Sequence, residues 1–498
     1  MLAFAANAGA APSVVDPNLG VRTAASGLES PTSLAFLGPN DMLVLEKQTG
    51  RVQRVVNGVV AGTAVDLAVN NNSERGLLGI ALHPAFPAVP WVYLYWSCKS
   101  TLPQDADPFR PEEQRCLDDP AAMFGADSGD VLQVPLLGNR VDRFRWNGTT
   151  LSYDRNLIQL RAFQNDGAPE PPGQGDSAQP ARANHDGGVI DFGADGKLYV
   201  QIGDVGRRGQ LQNLPCGPTS TQCPGQVTPD DQFGGPAPDN AHLTGGFLRL
   251  NDDGTTPTDN PFFAAGAAMG GEVGANIQKL FAYGIRNAFG FDFDPVSGVL
   301  WDEQNGDDSF TEINRVEPGQ NLGWVQVMGP VERIGQFKAI ETSPQFSGLQ
   351  QLRWPPSNIA DSSAEALGRL FMIPGARYSD PEFSWKFEVA PAAVGFLRSR
   401  ALGPQYQNDL FVGAARTNLE GGQLWHFNLT GNRRMIGVDD PRLEDRVADN
   451  VAKFDITESE SLLFGRNFGI GTDIETGPNG NLYVVSLDQG AVYEVLRR

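Results

Sequence analysis

Four histidines and four cysteines in 498 residues leave few places for imidazole or thiol chemistry. His185 is the most informative of them. It stands in ARANHDGGVIDFGADGKLYVQIGD, just ahead of a predicted strand, and Asp204 closes the next strand of the same hairpin. A histidine held by a carboxylate is the usual form of a general base, because the carboxylate fixes the tautomer and stabilises the imidazolium. A histidine beside a Gly-Gly turn is by itself more often structural, so it is the pairing with Asp204 that singles this one out. His83 in ALHPAF precedes a proline and reads as a turn cap. His242 falls in a loop and His426 inside the strand LWHFNL, and both read as structural.

Two arginines sit at strand ends. Arg286, in YGIRNAFGFDF with Asn287 beside it, precedes a Gly-containing turn, and Arg416 ends LFVGAAR. The bland reason for such cations is a salt bridge to one of 59 acidic residues; the functional one is an anionic ligand. In WDEQNGDDSFTEINRV (Trp301 to Val316), side-chain and main-chain oxygens crowd around a Gly turn. That composition suits Ca²⁺, although it is not an EF-hand. NDDGTTPTDNPF (Asn251 to Phe262) is a weaker version that reads as a turn.

These residues must be held by β structure. Glycine (58) and proline (36) are too frequent for a helical bundle, while 40% hydrophobic residues suffice for a large core. One unit recurs six times: a D/N-G type turn, an apolar strand with an aromatic, a polar stop. The copies are GPNDMLVLEK, PAVPWVYLYW, GADGKLYVQIGD, VSGVLWDEQNG, YQNDLFVGAAR and GPNGNLYVVSL. Repeated hairpin-like units with uneven spacing predict an all-β, six-bladed β-propeller with long loop insertions. Ordinary hairpins in a sandwich are the plainer alternative. Segments 101–130, 161–180 and 205–241, rich in Pro, Gly, Asp and Gln, read as loops rather than domains, so 13–498 is expected to be one domain.

Met1 to Pro12 (MLAFAANAGAAP) is apolar and small, with A-x-A patterns. It reads as the end of a secretory signal peptide without its basic start, or as a disordered N-terminus. Two close cysteine pairs, Cys98 with Cys116 and Cys216 with Cys223, suggest local disulfides, although four cysteines allow three pairings. Both features point to a periplasmic or secreted protein. No apolar run approaches the ~20 residues of a membrane span. A net charge of −21 argues against nucleic-acid binding.

Several stretches, in order, resemble the soluble quinoprotein sugar dehydrogenases, the glucose/sorbosone dehydrogenase family. They are SERGLLGIALHPAF, NHDGGVIDFGADGKLYVQIGD, GGFLRLNDDGTTPTDNPF, YGIRNAFGFDFDP, EQNGDDSFTEINRVEPGQNLGW and GPNGNLYVVS. The resemblance implies a six-bladed propeller that oxidises a sugar at C1, with pyrroloquinoline quinone (PQQ) as hydride acceptor and Ca²⁺ polarising the quinone. It implies that His185 is the base, Asp204 its orienting partner and Arg286 a further active-site group. Asn287, Arg416 and Asp473 would contact the cofactor, and Glu74 and Trp385 the sugar. Asn305 and Gly306 would hold Ca²⁺ through main-chain carbonyls, with Asp307 and Asp308 in the same loop. No C-x-x-C-H haem motif occurs, so electrons would leave to a separate acceptor.

The resemblance breaks at one point. Where the family carries R-x-R-D ahead of its last turn, this chain reads FGIGTDIETGPNG, with Ile470 and Thr472 at the arginine positions and only Asp473 kept. Each missing guanidinium removes a charge-assisted contact worth about 1.5–3 kcal/mol. The EQNGDD loop is also one residue longer. Two other readings stay open: a propeller that keeps Ca²⁺ but has lost the quinone and binds carbohydrate or protein, and a Ca²⁺-dependent lactonase-type hydrolase. The charge is uneven. Segments 101–130, 221–260 and 301–320 carry eight, six and six acidic residues against two, one and one basic ones. A site for an anionic quinone must therefore be locally cationic within an acidic shell.

Overall fold

The computed structural model describes residues 10–71, 73–99, 138–162, 184–205, 243–345, 356, 359–417 and 421–498. Most of Met1 to Pro12, nearly all of the three loop segments, and His242, Cys116, Cys216 and Cys223 lie outside the described residues. Cys98 is buried.

The strands fall into six sheets arranged as a β-propeller. Each sheet runs outward from an innermost strand: Pro31–Gly38, Leu77–Leu82, Ile190–Phe192, Phe291–Phe293, Pro391–Phe396 and Gly471–Thr476. Every copy of the sequence repeat is the second strand of one sheet: Asp41–Glu46, Trp91–Ser97, Leu198–Ile202, Leu300–Gln304, Leu410–Ala414 and Leu482–Ser486. These strands are buried almost throughout because both faces are covered by neighbouring sheets. Between the first two sheets, for example, Leu43, Leu45, Leu77, Leu94, Trp96 and Phe144 form one buried cluster. The ring closes with strands from both ends of the chain, where Leu19–Ser26 pairs antiparallel with Ala491–Arg497.

Counted as blades, the ring has five, one fewer than the sequence reading expects. Short ladders blur a blade count, and Ile190–Phe192 and Phe291–Phe293, innermost in consecutive sheets, have only three residues each. Those two sheets meet through aromatic edges, Tyr199 lying 5.0 Å from Phe293 and Phe247 5.4 Å from Phe291. Among the described residues no helix is long and apolar enough to cross a membrane. One short helix, Ile334–Glu341, bears on the site. Its buried positions Ile334 and Phe337 pack with Phe310, Trp324 and Val325, and bring Glu341 against the loop after Leu300–Gln304.

Candidate active site

The innermost strands converge on a cavity of about 580 Å³. His185, Arg286, Asn287, Asn305, Gly306, Asp307, Arg416, Glu74 and Asp473 all line it, so the structure gathers nine of the twelve residues singled out from the sequence.

His185 lies in the segment leading into Ile190–Phe192. The close approach of this segment to the second sheet depends on glycine, since a Cβ on Gly79 would lie 2.0 Å from the carbonyl oxygen of Gly188. His185 itself takes a left-handed backbone, φ +64°. Few non-glycine residues adopt that conformation unless the surroundings impose it. Here Glu74 accepts a hydrogen bond from the His185 main-chain N–H. The ring is buried and its Nδ1 lies 2.6 Å from Asp204 Oδ1. Asp204 is fixed in turn, because its Oδ2 accepts from Trp324 Nε1 at 2.8 Å and its main-chain N–H donates to the Arg286 carbonyl at 2.8 Å. Gly203 makes this meeting possible: a Cβ there would lie 2.5 Å from the His185 carbonyl oxygen and 2.6 Å from that of Arg286. With Nδ1 committed to Asp204, Nε2 is the ring atom left to exchange a proton with a molecule in the cavity.

Arg286 bridges to the next sheet. Its guanidinium stacks on Trp324 at 5.5 Å and donates to the Asn305 carbonyl at 2.9 Å and to Asp307 Oδ1 at 2.8 Å. Asn305 donates its main-chain N–H to the Asn287 carbonyl at 2.7 Å. The side-chain oxygen of Asn287 is buried in the cavity wall and has no hydrogen-bond partner among the described residues.

Asp308 lies behind this wall. Its carboxylate converges with those of Asp307 and Glu341, with ligand atoms within 4.8 Å of one another. Lys453 Nζ is 2.5 Å from Asp308 Oδ1 and 3.1 Å from the Asp307 carbonyl oxygen, and Glu341 Oε1 accepts from the Asp308 main-chain N–H and from Ser309 Oγ. The loop and Glu341 thus offer carbonyl and carboxylate oxygens of the kind Ca²⁺ takes, while Arg286 and Lys453 offset two of the three carboxylate charges.

Arg416 is exposed at the mouth, its guanidinium 5.3 Å over the ring of Phe454, with no carboxylate partner among the described residues. Asp473 faces the cavity, but its Oδ2 accepts from Ser33 Oγ at 2.8 Å and from Leu34 N–H at 2.9 Å, tying the last sheet to the first. Ile470 and Thr472 line the same wall.

Trp385 is a correction. It does not line the cavity; it is fully buried between the fourth and fifth sheets, against Phe383, Trp425 and Phe427. Strand alternation within Phe383–Phe387 turns it into that interface rather than toward a ligand. The aromatic residues that do line the cavity are Phe289, Phe291 and Phe454. Sequence reasoning also passed over Lys47, Lys453, Glu341 and Trp324. Trp324 lies inside a recognisable stretch, NLGW, whereas Lys453 stands in a loop without a motif.

The sequence model of a family described as Glucose / Sorbosone dehydrogenase matches residues 28–108 and 175–371, more than half of the chain. Aldose sugar dehydrogenase YliI of Escherichia coli is 26% identical over 304 residues, 61% of this chain and 57% of its own. Quinoprotein glucose dehydrogenase B of Acinetobacter calcoaceticus is 26% identical over 331 residues, 66% of this chain and 56% of its own. The chain thus spans little more than half the length of these two relatives. The apo-form structure of the soluble aldose sugar dehydrogenase from Escherichia coli aligns with a TM-score of 0.58 at 21% identity, covering 96% of this chain and all of the other. The PQQ-bound aldose sugar dehydrogenase of Streptomyces coelicolor aligns at 0.52 and 19%, covering 98% and 100%. At these identities the structural likeness speaks to the fold.

Proposed function

The chain belongs to the glucose/sorbosone dehydrogenase family, and from that premise we propose that it oxidises an aldose or related sugar alcohol at a PQQ- and calcium-dependent site. The observation that carries this reading is the buried His185–Asp204 pair facing a cavity large enough for a cofactor and a sugar.

In this reading His185 Nε2 takes the proton of the sugar hydroxyl. Asp204 holds Nδ1–H and stabilises the imidazolium, and Trp324 keeps Asp204 in place. PQQ, when bound, supplies the hydride acceptor. Its fit is tested by two features of the cavity. The Asn287 side-chain oxygen is buried without a partner among the described residues, which suits a ligand that donates to it. Arg416 brings a cation to the mouth without a neutralising acid among the described residues. Arg286 adds a second cation. The Asn305 and Gly306 carbonyls would hold Ca²⁺, with Asp307, Asp308 and Glu341 nearby as carboxylate donors. We further assign the six sheets to six blades of one domain over 13–498, acting after export and passing electrons to a separate acceptor.

A second reading has one observation in its favour. Ile470 and Thr472 present a methyl-rich wall where an anionic cofactor gains most from guanidinium groups. On that reading the propeller holds calcium and binds a carbohydrate without redox chemistry.

Titration with PQQ in excess Ca²⁺, followed by absorbance and by dye reduction with a panel of aldoses, separates the two. The first reading expects stoichiometric binding at micromolar quinone and sugar-dependent dye reduction. Carbohydrate binding without quinone uptake would replace it with the second.

A further inference from the structure

Asp186 follows His185 directly, yet it does not line the cavity. Its carboxyl is fully buried behind the histidine. Oδ1 accepts from Asn139 Nδ2 at 2.8 Å, and Asn139 in turn accepts from Ser97 Oγ. The main-chain oxygen of Asp186 accepts from Tyr95 Oη at 2.8 Å. Oδ2 has no hydrogen-bond partner among the described residues. These contacts come from Trp91–Ser97 and Gly138–Trp146, the second and third strands of the neighbouring sheet. The two residues His185–Asp186 are therefore clamped at both ends, by Glu74 on the His185 N–H and by Tyr95 on the Asp186 carbonyl, with the strained φ of His185 between.

We propose that Asp186 is a positioning residue for His185, one that couples the charge of a carboxyl buried behind the histidine to the placement and basicity of its ring. An unpaired, wholly buried oxygen is costly to ionise, and any charge formed there, one residue along the chain from His185, has little solvent to screen it. The charged and titratable groups facing Asp186 are Arg75, Lys47, Glu74 and the Tyr95 phenol, with the Asn139 amide. Burial pushes the Asp186 carboxyl up to about 7; Arg75, the Asn139 amide and Lys47 pull it down, and Glu74 pushes it up. Lys47 is held in place by its ammonium, which donates to the Ser73 and Asn71 carbonyls at 2.9 and 3.4 Å.

The catalytic side of this inference rests on His185 being the base; the structural coupling does not. The test uses the whole chain with ¹⁵N-labelled histidine, which gives only four residues to resolve. Ring nitrogen shifts are followed from pH 5 to 9 in wild type and in Asp186→Asn, where the amide keeps the acceptor for Asn139. The wild-type His185 curve is expected to show a second inflection near pH 7 that is lost in Asp186→Asn, with His83 and His426 unchanged. Superimposable His185 curves would overturn the proposal. Should Asp186→Asn fail to fold, Asn139→Ala removes the hydrogen bond to Oδ1 and should raise the midpoint of that inflection by up to about one pH unit. An unmoved inflection would overturn it equally. In the catalysed reaction, the kcat/KM profile should lose the same inflection in Asp186→Asn while KM for the sugar changes less than about twofold. A wild type inactive on every aldose would count against the oxidoreductase reading alone, since the ring-nitrogen titration still decides the coupling.

Discussion

Two walls of one cavity are built on opposite principles. On the His185 wall the groups that carry charge are each held by a second one: His185 by Asp204 and Glu74, Asp204 by Trp324, Arg286 by Asn305 and Asp307. Around Gly471–Thr476, Ile470 and Thr472 offer no charge, and the titratable groups are the carboxyls of Asp473 and Glu475 with Asp191 and Asp292 from the innermost strands of the third and fourth sheets. Burial pushes Asp473 up to about 6 and Asp191 to about 7, and holds Glu475 well above the usual carboxylate range. Burial also raises Asp292, against the pull of Arg398. The first wall suits the proposed proton transfer at one atom; the second is a set of acids that burial raises above the ordinary carboxylate range. An anionic cofactor facing such a second wall would need its cations from elsewhere, and Arg286, Arg416, Lys47 and Lys453 line the cavity.

The largest effect should come from the first wall. His185→Ala is expected to lower kcat by about 10²–10⁴-fold, the usual worth of a positioned general base, with the melting temperature unchanged within a few degrees. Asp204→Asn should cost a comparable factor, since an amide cannot hold the productive tautomer. Steady-state dye reduction alongside calorimetry measures both. Activity within twofold of wild type in either variant would erase the distinction between the walls.

The second wall is sharpened by adding what it lacks. Thr472→Arg places a guanidinium in the cavity at the cost of one hydrogen bond, from Thr472 Oγ1 to the Pro31 carbonyl at 3.2 Å. A charge-assisted contact worth about 1.5–3 kcal/mol should tighten quinone binding by about 10–100-fold, read by equilibrium titration. An unchanged dissociation constant would mean that the anionic end of the ligand faces another wall, with Arg416 at the mouth the next position to test.

How much of this was legible in the sequence follows the same division. The repeat was readable because a D/N-G turn before an apolar strand is a local signal, and each copy is a second strand of a sheet. The His185–Asp204 pair was readable because both residues lie on one hairpin, 19 positions apart. Trp385 was misplaced because a tryptophan in a strand gives no sign of which face it takes; the packing against Trp425 decides it. Lys453 and Glu341 meet Asp308 from 145 and 33 residues away, and nothing in a linear sequence brings them together. The acid set of the second wall was equally hidden. Asp191, Asp292 and Asp473 sit in three different innermost strands, where a lone carboxylate looks like an ordinary surface residue.

The smallest predicted effect tests whether those acids are protonated. The carboxyl of Asp473 is raised in the folded state to about 6, above its value of roughly 3.9 in an unfolded chain. The fold therefore binds the proton more tightly than the unfolded chain does. Its stability falls as pH rises from about 4 to about 6, and levels off once Asp473 is ionised in both states. Asp473→Asn keeps an acceptor for Ser33 and Leu34 and has no charge to bury. Relative to wild type it should gain stability across that window, by on the order of 1–3 °C in melting temperature for a chain of this size. Scanning calorimetry at pH 4, 5, 6 and 7 reads the difference directly. Parallel curves would mean that Asp473 is ionised throughout. The wall would then carry the Asp473 charge from about pH 4 upward rather than from about pH 6, and Thr472→Arg would gain from neutralising it over that whole range.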